Sequence, residues 1–177
     1  NAQEGCFDVE SVWPKLEQAL RQAISNLVAM RETEGSNIYG DFIKRADLIA
    51  EKLAVIEERS PQVVEEYQIR LSDRINELLA KHNQVIEPER LLQEVAIFAD
   101  RTSITEEIVR LKSHIKQFRL IIDADQPVGR KLDFLIQEFN REANTIASKA
   151  NDYTMAQIVV EIKAEIEKIR EQIQNIE

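Results

Sequence analysis

One spacing recurs along this chain. Apolar residues step by 4 and 3 through Leu16, Leu20, Ala23, Leu27 and Met30, and again through Phe42, Ala46, Ile49, Leu53 and Ile56. The same steps return in Ile104, Ile108, Leu111, Ile115, Phe118 and Ile122, and in Leu132, Ile136, Phe139, Ala143 and Ile146. They close the chain in Val159, Ile162, Ile166, Ile169, Ile173 and Ile176. That period places each set on one stripe of an α-helix and leaves no strand alternation. Stripes of this width on helices joined by short turns bury themselves against one another. The spacing predicts an all-α fold of elongated antiparallel helical hairpins, a coiled-coil-like bundle.

Local signals divide the chain. Residues 1–8 read as a tag scar, Asn1 and Ala2, and a flexible lead-in. Residues 9–177 read as one helical domain. Its first part, 9–60, is one long helix or a pair broken near Gly35, since Gly35 and Gly40 each cost about 1 kcal/mol against Ala in a helix. Ser60 before Pro61 looks like a cap and a first helical position, opening a helix over 61–83. Pro88 opens 88–101 in the same way. Ser103 with Glu106 three residues later forms a capping-box pattern for 104–122. After the break "DADQPVG", 129–150 and 153–177 complete the series, with Asn151 or Asp152 capping the last helix.

Charge and cysteine content narrow the function classes. The 177 residues carry a net charge of −9, which disfavours indiscriminate nucleic-acid binding by the whole surface. Residues 101–149 nevertheless sum to +2, so any phosphate contacts belong there. Cys6 is the only cysteine, which excludes an internal disulfide and a thiolate cluster and fits a reducing compartment. No apolar run approaches the roughly 20 residues that cross a bilayer. HExxH, P-loop, GxGxxG and GxSxG motifs are all missing, so those enzyme classes lose support.

Two stretches carry candidate chemistry. In "EEIVRLKSHIKQ", Glu107, Arg110 and His114 share a helical face, expected roughly opposite the Ile108, Leu111 and Ile115 seam. An imidazole beside a guanidinium and a carboxylate suits proton transfer at a phosphate, and a solvated Glu–Arg pair explains the spacing equally well. His82, near a helix end, is expected only to meet the terminal carbonyls. In "GRKLDFLIQEFNREANTIASKAND", Gln137, Asn140 and Asn144 run beside Arg130, Lys131, Arg141 and Lys149. The amides either form a buried network that fixes register or meet a nucleic acid. Spacing alone favours the network slightly. Glu138 and Glu142 stand one turn apart and form a pair that a hard divalent cation would use.

Whole phrases, not only patterns, point to a family. "MRETEG", "ERLLQEVAIFADR", "ITEEIVRLKSHIKQF", "VGRKLDFLIQEFNREANTIASKAND" and "VVEIKAEIEKIREQIQNIE" resemble the C-terminal part of the YicC-like bacterial endoribonucleases. The resemblance covers most of residues 28–50 and almost all of 89–177. It implies hydrolysis of phosphodiester bonds in single-stranded or structured RNA, dependence on a divalent cation (Mg²⁺ or Mn²⁺), and homo-oligomers, notably hexamers. It further implies a cytoplasmic protein with partners in RNA degradation and an upstream α/β domain that is absent from this sequence. On that reading His114, Arg110, Glu107 and Arg141 are catalytic, and Glu138 and Glu142 hold the metal. Arg130, Lys131, Asn140, Asn144 and Lys149 bind RNA. Two positions depart from the family pattern: Ser103, where an acidic residue is expected, and Phe139, where Met is usual. The alternative is a non-catalytic helical module for oligomerisation or partner binding.

Overall fold

The computed structural model describes residues 9–80, 87–124, 126–174 and 176. The lead-in 1–8, His82 and the expected end of a helix at 83 lie outside them. Among the described residues there are five helices and no strand: α1 (Val9–Ala80), α2 (Pro88–Arg101), α3 (Thr105–Ile122), α4 (Gly129–Lys149) and α5 (Tyr153–Ile173). The all-α class is therefore as the apolar spacing requires. The chain falls into two units, residues 1–41 and 42–177.

The first unit contains the start of α1. Its apolar line stays open: Trp13, Leu16, Leu20, Leu27 and Met30 are each between 51% and 60% exposed. The polar flanks hold themselves with local pairs, such as Arg21 donating to Glu17 one turn away at 2.7 Å.

The second unit is an antiparallel bundle of the rest of α1 with α3, α4 and α5. Ion pairs fix the register. Arg45 and Arg59 of α1 meet Glu165 in the middle of α5 and Asp152 at its N-terminal cap, at 2.6 and 2.9 Å. Lys112 of α3 meets Glu57 of α1 at 2.5 Å. Helix α4 packs on α3 and on α5. Inside, Phe42, Phe118 and Phe139 are at most 2% exposed, with ring centroids 5.5 Å apart for Phe42–Phe118 and 5.9 Å for Phe118–Phe139. Helix α2 lies against α1 through Tyr67 and Phe98, whose rings stack at 3.7 Å.

Several boundaries differ from expectation. Helix α1 passes through Gly35, Gly40 and Pro61 without a break, so no helix begins at 61. Pro61 cannot donate a backbone hydrogen bond, but local preference yields to packing on both sides of it. Ile56 and Val63 are buried, and Arg59 reaches across the proline to Glu66 with bonds of 2.5 and 2.9 Å. The capping box at Ser103 does not form: Ile104 occupies the cap position of α3, with no side-chain cap. Burial of Ile104 decides that turn instead. Pro88 does open α2, and Asp152 does cap α5, accepting from the Met155 N–H at 2.9 Å. Asn151 supplies the positive φ of 42° that reverses the chain between α4 and α5.

Candidate functional site

The antiparallel register of α3 and α4 builds one concentrated site. With Phe118 set against Phe139, His114 stands one turn away on α3 and faces the next turn of α4. There one ligating atom each from His114, Glu138 and Glu142 come within 4.8 Å of one another. Glu142 is 3% exposed and Glu138 is half-buried. The His114 ring lies 6.4 Å from that of Phe139, which limits its rotation from one side. Its Nδ1 is buried and finds no hydrogen-bond partner in the protein. A buried polar atom left unpaired costs roughly 1–3 kcal/mol. An ion held through that nitrogen and two carboxylate oxygens would remove that cost. Such a donor set fits a first-row divalent cation or Mg²⁺, and the imidazole favours Mn²⁺ of the two.

Basic groups flank the cluster. Arg110 Nη1 stands 3.8 Å from Glu142 Oε1, and its other end pairs with Glu106. Lys149 donates to Glu107 Oε1 at 2.7 Å, while Glu107 Oε2 is buried without a partner. Burial pushes the Glu107 carboxyl up, but the Lys149 bond and the nearby Arg110 charge outweigh it and hold the group below the ordinary carboxylate range. Glu107 is therefore a buried anion turned toward α4, not a solvated one opposite the seam, and its partner is Lys149, not Arg110.

The remaining candidates separate. Gln137 is exposed and donates to Asp133 at 3.0 Å, Asn144 is exposed and Asn140 half-buried, so these amides form no buried network. Lys149 is held inward by Glu107, and Arg141 stands 3.6 Å from Glu138 on the surface. Arg130 and Lys131 are exposed, have no ion pair with a described residue, and border two clefts. One of these clefts, of about 390 Å³, also takes in His114, Gln117, Ile121, Leu135 and Phe134. Phe134 escapes the sequence reading because it lies off the 4,3 stripe; an aromatic there, 64% exposed, is the signal that could have found it.

An antiparallel helical bundle with a His, Glu, Glu set on two facing helices and a basic rim defines a class: helical proteins with a cation-binding site near an anion-attracting surface. Comparison narrows it. The family described as "Endoribonuclease YicC-like, C-terminal" matches residues 56–177. The chain is 51% identical over 170 residues to "Probable endoribonuclease YicC" of Clostridioides difficile and 36% identical over 170 residues to the protein of that name from Haemophilus influenzae. Each match takes in 96% of this chain but only 58% of the relative. The chain belongs to the YicC-like family and corresponds to its C-terminal, helical part. Among the described residues no helix is long and apolar enough to cross a membrane.

Proposed function

We propose that this chain is the helical part of an endoribonuclease that hydrolyses phosphodiester bonds in single-stranded or structured RNA with the help of Mg²⁺ or Mn²⁺. The convergence of His114, Glu138 and Glu142, with a buried imidazole nitrogen left unpaired, is the observation that carries the reading. Family membership and the names of the two relatives support it. The cation would be held by those three side chains and, when bound, would offset phosphate charge and make water easier to deprotonate. In the reaction, water adds to phosphorus, one P–O ester bond breaks, and the departing oxygen takes up a proton.

The chain's own groups prepare that step. Arg130, Lys131 and Arg141 are exposed cations that can hold RNA phosphates, and Asn140 and Asn144 lie on the same helix. Arg110, beside Glu142, fixes the carboxylate and places positive charge at the edge of the site. Glu107 and Lys149 neutralise each other and act as supports, so we do not assign either to bond making or RNA contact. His114 is a ligand in this reading, in place of a proton carrier. We further propose a cytoplasmic location, which the single cysteine suits, and partners in RNA degradation.

A second reading has its own observation. The open apolar line of Trp13, Leu16, Leu20, Leu27 and Met30 suits a helical partner, and we propose that it joins copies of the protein in a homo-oligomer such as a hexamer. Incubation of the full-length protein with labelled RNA, Mg²⁺ or Mn²⁺ and an EDTA control tests the nuclease reading, repeated with His114→Ala and Arg141→Ala. Cation-dependent cleavage that collapses in His114→Ala is expected. No cleavage with either cation would leave only the oligomerisation module.

A further inference from the structure

The cleft of about 390 Å³ beside the cation set has features that an ion does not need. Its wall includes Phe134, 64% exposed on the polar side of α4, where a solvent-facing aromatic carries an unoffset hydration cost. Buried Leu135 and half-buried Ile121 supply an apolar floor, and exposed Gln117 adds a donor and an acceptor at the rim. Arg130 and Lys131 stand at the same cleft without a counter-ion among the described residues, in a chain whose net charge is −9. The volume lies within the roughly 300–1,000 Å³ that holds small ligands. His114 lines this cleft and also belongs to the cation set, so a group seated here is next to the proposed reacting phosphate.

We propose that the cleft is a subsite for one unpaired nucleotide of the RNA, its base stacked on Phe134 and its phosphate held by Arg130 and Lys131. The inference rests on the nuclease reading and adds a substrate requirement to it. A base inside a duplex is covered on both faces and cannot reach Phe134, so the nucleotide beside the cleaved bond must be unstacked.

Binding in EDTA separates this claim from cleavage. Fluorescent RNA oligonucleotides are titrated against full-length native protein, Phe134→Leu and Phe134→Trp, as a single strand and as a perfect duplex. Phe134 is exposed, so both variants should fold as the native protein does. The single strand should bind roughly 5- to 150-fold more weakly to Phe134→Leu, as expected for loss of one base–aromatic stack. Phe134→Trp should keep native affinity, and the duplex should not distinguish the three proteins. Lys131→Met should instead lower the slope of log affinity against log salt by about one, while Phe134→Leu leaves that slope alone. Equal binding of the single strand by native and Phe134→Leu protein overturns the proposal and leaves the face to a protein partner. An equal loss for the duplex overturns it too. Native binding with the predicted Phe134 dependence, but no cleavage with any cation, sinks the nuclease reading and spares the subsite.

Discussion

Replacing Lys149 by Met isolates the support beneath the site. The variant keeps much of the aliphatic stem and removes the charge that meets Glu107 Oε1 at 2.7 Å. Glu107 has a side chain only 6% exposed, and its other oxygen already lacks a partner. Removing one member of a fully buried pair costs about 3–5 kcal/mol, because the remaining charge stays buried. Here Lys149 is 38% exposed, so water screens the pair, and Arg110 still acts on Glu107. Both effects bring the expected cost at pH 7 down to about 1–3 kcal/mol.

The sign with pH follows from Glu107. In the native protein its carboxyl is held below the ordinary value, so it adds stability above the unfolded pKa of roughly 4.3 and loses that as pH falls. In Lys149→Met, burial is opposed only by the backbone hydrogen bond and the Arg110 charge, so the carboxyl is held down less and ionisation at neutral pH favours folding less. The gap between the proteins should close in acid, once Glu107 is protonated in both. Hydrogen exchange of α3 and α4 amides in the full-length protein reads this directly, as protection roughly 5- to 150-fold lower at pH 7. Glu107→Gln in the same background should recover most of it. A pH-independent difference, or no recovery in the double variant, would refute the argument that a stranded buried anion causes the loss.

Asp152→Ala removes both the α5 cap and the Arg59 partner, and should cost about 1–3 kcal/mol at pH 7 in urea unfolding. Burial raises the Asp152 carboxyl, but Arg59 and the Met155 N–H hold it below its ordinary value, so the penalty should fade below about pH 4. Phe139→Met, which loses roughly one methylene of volume but can refill most of the space with a flexible side chain, should cost about 1–2 kcal/mol, whereas Phe139→Ala should cost about 3–5 kcal/mol and loosen His114. Leu20→Asp, in the open apolar line of the first unit, should lower the mass of the full-length assembly in light scattering without changing helix content.

The sequence made the bundle legible because burial acts on most turns alike: the 4,3 stripes of the second unit became core from Phe42 to Ile173, apart from half-buried Ile122 at the end of α3. Local punctuation was less dependable. Pro61 and Ser103 carry good boundary chemistry, yet the burial of Ile56, Val63 and Ile104 overrides it. Glu138 and Glu142 could be paired from the sequence because both sit on one helix. Placing His114 with them required the α3–α4 register, which lies in long-range packing. The burial of Glu107 has a similar origin: its face borders the seam closely enough for α4 to cover it, although helical spacing alone puts it on the solvent side. Phe134 leaves no mark in the periodicity, which reports the stripe and not an apolar residue beyond it.

Titration of the full-length protein with Mn²⁺, followed by loss of the free-ion electron paramagnetic resonance signal, tests the central claim most directly. The account predicts a saturable site in the native protein whose affinity falls by at least about 10-fold in Glu142→Gln and in His114→Ala. Mn²⁺ binding of native strength in both variants would contradict it.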